Sequence, residues 1–320
     1  MEALIQQITA LHRMHTQYGP APHKPILLLA VIESFEHGEI GKNQIDINEM
    51  LLMRFYDLWK LLVNSNQEPN FSLPFFNLGI ERRRLWKLIP FPGEKLPPLK
   101  RYHFKSIRKL RETIVGATLS DDFYYALSRR NTREKIKAAL IKAYFPYYSF
   151  PVIETGPKYS DEIKEHILCN DAESYPGIMT PQTQEETIET LEEEAVIRRY
   201  IFKKAVLEIY DNRCAISGLK IESSEHITLV DACHIVPFAQ TFDDTIRNGI
   251  AFSPTIHRAF DNGLIAISDK YRILIHPKLK GTIIPSPFKR FENKIIRLPE
   301  QKEFYPSLHR LAEHRLRFGF

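Results

Sequence analysis

Cysteine is scarce in this 320-residue sequence: Cys169, Cys214 and Cys233 are the only three, and no two stand as Cys-x-x-Cys. A zinc knuckle built on such pairs is therefore excluded, as is a fold held by several disulfides. Three unpaired thiols suit a reducing compartment, and a cytoplasmic protein is expected. Long apolar runs are missing too: Ile26-Leu-Leu-Leu-Ala-Val-Ile32 is too short to cross a bilayer. Met1-Glu-Ala-Leu-Ile-Gln-Gln has neither the basic start nor the apolar core of a secretion signal, so no membrane association is expected. Nor is there an internal repeat, or a low-complexity tract outside one acidic stretch.

What is present is enough apolar material, 43% of residues, for two ordinary domains with real cores. The net charge of +5 is unevenly spread. Residues 161–194 hold eleven Asp or Glu and one Lys, a local charge of −10, so the remainder of the chain carries +15. Two basic bodies joined by an acidic linker is the simplest description. Basic surface gives affinity for a phosphate polyanion through counterion release, without sequence preference. In the linker, Pro176-Gly177, Pro181 and a Thr/Gln/Glu-rich run lead into residues 185–194, which read as an exposed acidic helix or a mobile tether.

The residues that carry chemistry concentrate between Asp231 and Asp261. Asp231-Ala-Cys-His-Ile-Val-Pro237 continues an apolar, β-branched run begun at Ile227, so it reads as a strand entering a loop, with His234 at its exit. Asp231 and Cys233 share one face of that strand, opposite to His234. Asn248 follows His234 by fourteen residues, and His257 follows Asn248 by nine. Ser253 and Pro254 supply a cap and a first-turn proline for a helix on which His257 and Asp261, four apart, share a face. Beyond Asn262-Gly263, residues 264–268 and 272–276 read as a hairpin around Asp269-Lys270-Tyr271.

The set His234-Ile-Val-Pro, Arg247-Asn-Gly and His257-Arg-Ala-Phe-Asp resembles the HNH (ββα-metal) nucleases, with spacing similar to the HNH domain of CRISPR effector nucleases. Phe202-Lys-Lys-Ala-Val-Leu-Glu-Ile-Tyr-Asp-Asn-Arg-Cys-Ala-Ile-Ser-Gly218 resembles the segment that opens such domains in restriction enzymes, and the likeness covers about residues 198–280. It implies a phosphodiester hydrolase with His234 as general base, Asn248 keeping the strand-loop-helix unit closed, and His257 binding one divalent cation. Asp261 would join that cation or steady the ring of His257. An imidazole titrating at roughly pKa 6.5 suits a base that must be mostly free at neutral pH. Immediately before the base the family often has Asp or His, and this chain has Cys233. Asp231 is taken as the carboxylate ligand, with Cys233 as the alternative. Oxygen with imidazole suits magnesium or manganese first and tolerates nickel or zinc, whereas a thiolate favours softer metals such as zinc. One such centre cuts one strand, so double-strand cleavage implies a homodimer or two binding events.

In the amino-terminal half, helical spacing of apolar residues runs through residues 3–18, 24–35, 47–63 and 132–144. Leu73-Pro-Phe-Phe-Asn-Leu78 and Leu85-Trp-Lys-Leu-Ile89 read as a small hairpin. A mainly helical domain with a minor sheet follows, and the whole chain is assigned to the α+β class. Pro22-His-Lys-Pro-Ile-Leu-Leu-Leu, the Pro-Phe-Phe-x-Leu unit ending in Leu-Trp-Lys-Leu, and residues 133–145 leading into Pro146 resemble the sulfur-binding domain. In restriction nucleases such a domain precedes an HNH domain and recognises phosphorothioate-modified DNA. The resemblance implies an apolar pocket for the sulfur at Leu73 and Pro74, where the family has an aromatic-Pro pair, and phosphate or base contacts from His23, Lys24, Arg101 and His103. A sulfur is larger and less strongly hydrated than a phosphate oxygen, so apolar walls penalise it less.

The expected organisation is a DNA-recognition domain over residues 1–155, an acidic linker over 156–197 and a nuclease domain over 198–320. Together these describe a modification-dependent restriction endonuclease whose partner is double-stranded DNA. Restriction of unmodified or methylcytosine DNA by the same nuclease is the alternative, and a non-enzymatic DNA-binding regulator stands behind it. The terminal segment from Tyr305 carries Ser307 as a cap and then a basic helix, for which docking on the nuclease core and contact with the DNA backbone are both open.

Overall fold

The computed structural model describes residues 1–81, 85–96, 104–148, 156–169, 185–221, 228–277 and 288–320. They divide into two units, one of residues 1–161 with 181–197, the other of residues 162–180 with 198–320. In the first unit the chain runs α1 (Glu2–Ile8), β1 (His15–Thr16), β2 (Gly19–Pro20), α2 (His23–Glu36), β3 (Ile45–Asp46), α3 (Glu49–Leu62) and α4 (Ser72–Asn77). It continues with β4 (Trp86–Pro90), α5 (Ile107–Thr113), β5 (Ile114–Leu119), α6 (Asp121–Ser128) and α7 (Arg130–Tyr144). Apolar residues on every side of a helix require neighbours on every side. Residues 25–32 meet that requirement: all are buried, and α2 packs against α3, α4, α6 and α7. Asn48 caps α3, its side chain accepting from the Leu51 N–H at 2.8 Å.

The sheet of this unit has the order β3-β5-β4, all antiparallel, with Leu88 and Ile45 both opposite Ala117. The hairpin expected from residues 73–78 and 85–89 does not form. Residues 72–77 are helix α4 instead, and β4 pairs with β5. Proline is as compatible with a first helical turn as with an edge strand, and here Asn70 decides by accepting the Leu73 N–H at 2.8 Å. Phe75 and Phe76, adjacent in sequence, are both buried, which alternating strand faces would not give.

Part of the stretch read as a linker is ordered helix. α8 (Tyr159–Leu168) buries Ile163 and Ile167, and α9 (Glu185–Ile209) is one continuous helix. The acidic run is not solvated along its whole length, because Glu193 is fully buried. Its carboxylate accepts from Tyr56 Oη, the Phe71 N–H, the Ser72 N–H and Ser72 Oγ at 2.8 to 3.1 Å.

The second unit contains β6 (Asp231–His234), α10 (Phe238–Thr241), β7 (Gly249–Phe252), α11 (Pro254–Asp261), β8 (Ile265–Ile267), β9 (Ile273–Ile275) and α12 (Leu308–Phe318). β6 and β7 pair antiparallel, with His234 opposite Gly249 and Asp231 opposite Phe252. The hairpin after Gly263 forms as β8 and β9. Pro254 opens α11, whereas Ser253 makes no side-chain cap bond. Ser307 does cap α12, accepting from the Arg310 N–H at 3.4 Å. The terminal helix docks on this unit: Leu311 and His314 are buried, and Gly263 gives way to Phe318. At Gly263, φ is +63°, and a Cβ would lie 2.2 Å from Phe318 Cδ1. Both units combine helices with small antiparallel sheets, which is the expected α+β class. Among the described residues no helix is long and apolar enough to cross a membrane.

Candidate functional site

The antiparallel pair β6 and β7, followed directly by α11, brings together residues that are up to thirty positions apart in sequence. On β6, Asp231 and Cys233 project toward α11, where His257 and Asp261 stand one turn apart. His257 Nδ1 lies 4.0 Å from Asp231 Oδ2, and its Nε2 lies 3.4 Å from Asp261 Oδ2. Cys233 Sγ donates to Asp261 Oδ1 at 3.7 Å. The ligand atoms of Cys233, His257 and Asp261 all lie within 4.8 Å of one another. One thiol, one imidazole and one carboxylate in that volume, with a second carboxylate beside the imidazole, form a donor set that fits a divalent cation. Burial pushes the Cys233 thiol well above its ordinary range, and the carboxylates of Asp261 and Asp231 push it in the same direction. Neighbouring carboxylates that resist a thiolate are what a bound cation would offset.

His234 sits beside this cluster. Its ring is stacked on Phe202 of α9, with centroids 4.0 Å apart and planes 5° apart. Burial lowers its pKa to about 4, with Asp243 acting in the opposite direction and Arg199 and His257 reinforcing the fall. The imidazole is therefore neutral at neutral pH. Nε2 is buried without a hydrogen-bond partner, which leaves Nδ1 as the atom able to meet a water.

Asn248 is fully buried, and its amide is used at both ends. Oδ1 accepts from the Val236 N–H at 3.0 Å, and Nδ2 donates to Val236 O at 3.0 Å and to Asp243 O at 2.8 Å. The backbone completes the closure, with the Ile235 N–H donating to Asn248 O at 2.8 Å. The loop leaving His234 is thus tied to the strand that returns from it. The next residue, Gly249, admits no side chain: a Cβ would lie 2.5 Å from Val206 Cγ2 and 3.0 Å from Phe202 Cζ. Gly249→Ala is expected to destabilise the second unit by about 1–3 kcal/mol through overpacking, read as a lowered midpoint in denaturant unfolding. An unchanged midpoint would mean that α9 moves aside freely.

Several supporting residues carry no signal in the local sequence. Asp243 accepts from the Thr245 N–H and Oγ1 at 2.9 and 2.7 Å and from Arg310 of α12 at 3.0 and 2.9 Å. Asp244 forms a buried pair with Arg198 at 3.0 Å. His314 of α12 donates from Nε2 to Phe260 O at 3.0 Å and stacks on the Phe260 ring at 3.7 Å, bracing the turn that carries Asp261. Asp243 and Asp244 are adjacent in sequence. Their partners lie more than forty residues away in sequence.

In the first unit, the packing of α2 against α4 places the elements that carry His23, Lys24, Leu73 and Pro74 in contact. His23 lies edge-on to Trp59 at 4.6 Å with its Nε2 3.1 Å from Glu68 O, and burial lowers its pKa to about 4. Lys24 pairs with Glu81 and donates to His12 O at 3.0 Å. Leu73 is half-buried and Pro74 buried. Arg101 and His103 lie outside the described residues. A cavity of about 870 Å³ lies elsewhere in this unit, lined by Glu36 and by Arg130, Arg133, Lys135 and Lys137 of α7. Among the described residues, His23, Lys24, Leu73 and Pro74 do not line it.

Two family models match the chain. Residues 214–268 match the HNH endonuclease model, and residues 1–150 match the model for the ScoMcrA-like DNA sulfur-binding domain. No curated protein matches. Among solved structures, the chain is similar to the modification-dependent TagI restriction endonuclease, at 21% identity and TM-score 0.28, covering 37% of this chain and 38% of that one. The chain thus spans well under half of TagI. It is also similar to the sulfur-binding domain of ScoMcrA complexed with phosphorothioated DNA, at 19% identity and TM-score 0.37, covering 47% of this chain and 92% of that one. A third similarity is to the type IV phosphorothioation-dependent restriction endonuclease ScoMcrA, at 12% identity and TM-score 0.36, covering 80% and 94%.

Proposed function

Because one chain carries a ScoMcrA-like DNA sulfur-binding domain over residues 1–150 and an HNH endonuclease domain over residues 214–268, we propose that it is a restriction endonuclease that recognises phosphorothioated double-stranded DNA and hydrolyses its phosphodiester bonds. The observation that carries the nuclease half is the convergence of Cys233, His257 and Asp261 next to a neutral His234 whose loop is closed by Asn248.

His234 acts as the general base at Nδ1, taking the proton of the water that attacks phosphorus in line with the leaving oxygen. A pKa near 4 keeps it free to accept that proton at neutral pH, at the expense of basicity. Asn248 touches no substrate and holds the backbone on which His234 stands. His257 and Asp261 would hold one divalent cation, with Asp231, or alternatively Cys233, completing the set. Oxygen-rich ligation favours magnesium or manganese, whereas use of the Cys233 thiolate would favour zinc. When bound, the cation supplies Lewis-acid stabilisation of negative charge on the phosphate and the leaving oxygen.

In the first unit, the half-buried Leu73 and the buried Pro74 supply the apolar wall that tolerates a weakly hydrated sulfur. Lys24 and His23 are assigned to phosphate or base contacts, as are Arg101 and His103, which lie outside the described residues. Lys24 reaches a phosphate by exchanging Glu81 for it. The neutral His23 contributes as a hydrogen-bonding ring rather than as a charge.

The test is a plasmid panel, phosphorothioated, cytosine-methylated and unmodified, incubated with magnesium or manganese and again with excess chelator. Cleavage confined to the phosphorothioated plasmid and abolished by chelation is the expected result. Cleavage of all three plasmids transfers the reader to unmodified DNA, and cleavage of none with either metal removes the nuclease reading. Nicked circles preceding linear product at low protein concentration, with linear product rising at high concentration, are expected if double-strand cleavage requires a second copy.

A further inference from the structure

Helix α9 adds to the nuclease site a wall that lies outside residues 214–268. Phe202 stands on it, 1% exposed, with its ring face against the ring face of His234. The far edge of the same Phe202 ring closes on Gly249, where an added Cβ would stand 3.0 Å from Cζ. One side chain thus touches both the proposed base and the strand that returns beside Asn248.

An imidazole that must present one nitrogen to a water needs its ring torsion fixed as well as its backbone. In most sites a hydrogen bond to the other ring nitrogen supplies that restraint. His234 lacks it: Nε2 is buried with no partner, and no hydrogen bond to the ring is found among the described residues. The Asn248 bonds fix Val236, two residues further on, and leave rotation about the His234 Cβ–Cγ bond untouched. The parallel contact with Phe202 at 4.0 Å does restrain it, because turning the imidazole out of plane drives its edge into the phenyl face.

We propose that Phe202 is the positioning residue for His234, replacing the usual hydrogen bond to the second ring nitrogen with a stacked aromatic face. The proposal rests on the nuclease reading above. A flat face at van der Waals distance holds the ring plane and excludes water from it without occupying either nitrogen. The adjacent charges do not serve this purpose: Arg199, one turn earlier on α9, is exposed, and Asp243 already accepts from Thr245 and Arg310.

The experiment compares the wild-type full chain with Phe202→Leu and Phe202→Met, which keep an apolar side chain but lose the flat face. Cleavage of phosphorothioated plasmid with manganese is measured alongside proton spectra of protein carrying ¹³C-labelled histidine. The carbon-bound ring protons of His234, assigned by their disappearance in His234→Ala, are expected upfield of those of exposed histidines in the wild type. In both variants they are expected to move downfield. The variants are expected to lose cleavage rate by about tenfold or more with KM for DNA unchanged, the signature of a misplaced base rather than of lost binding. Unshifted His234 ring protons in the wild type overturn the proposal whether or not either variant folds, as does a folded variant that cuts at the wild-type rate. A wild-type protein that cuts no plasmid with either metal overturns the nuclease reading instead, and the two failures are read from different measurements.

Discussion

Replacing His234 by alanine is expected to lower DNA cleavage by about 10²- to 10⁴-fold, the range usual for removal of a positioned general base. The loss should fall on the chemical step alone. The hydrogen bonds of Asn248 go to Val236 and Asp243, and the candidate ligands Asp231, Cys233, His257 and Asp261 face the other side of β6 or stand on α11. None of them depends on the imidazole. On the proposed reading, binding of phosphorothioated DNA, measured by mobility shift, is expected to remain, because residues 1–150 are untouched. A variant that cuts as fast as the wild type would take His234 out of the mechanism. One that neither cuts nor folds would show that the stack on Phe202 is structural first.

The second large effect concerns stability. Glu193→Ala is expected to destabilise the first unit by about 3–5 kcal/mol, since it strands the Phe71 and Ser72 N–H groups and the two hydroxyls that now converge on one carboxylate. The wild-type protein should also show a pH dependence with a definite sign. Burial raises the Glu193 carboxyl from an ordinary value of 4.5 to about 7. Between those limits the folded chain retains a proton that the unfolded chain has released, so stability from this group falls as pH rises. It is fully present below 4.5 and lost above 7. In Glu193→Gln that step in the unfolding midpoint between pH 5 and pH 8 should vanish. A step of equal size in the variant would assign the dependence to other groups.

The candidate site was legible because its chemistry is carried by one short strand-loop-strand-helix unit. His234 ends β6, Asn248 precedes β7 and His257 stands on α11, all within twenty-four residues, and Asp261 falls on the face of His257 by helical period alone. What holds that unit in place was not legible. Phe202 comes from an earlier helix, and Arg310 and His314 come from the last one. No periodicity connects them to the loop they support.

Burial of Glu193 was hidden for a related reason. A run of like charges reads as solvated, and nothing within the run distinguishes the one member that meets four donors on Tyr56, Phe71 and Ser72. The misplaced hairpin shows the limit of local propensity. Leu73-Pro74 satisfies both a strand edge and a first helical turn, and the partner that β4 selects, β5, follows only after α5.

The docking of α12 sets a boundary that resemblance does not mark. A fragment trimmed to residues 214–268 would contain every proposed ligand and the base, yet Asp243 would lose Arg310, the Phe260 carbonyl would lose His314, and Gly263 would face the space that Phe318 fills. Such an excised piece would keep the chemistry on paper and forfeit the scaffold that aims it. The scaffold of the proposed site therefore includes residues of the final helix that lie outside 214–268.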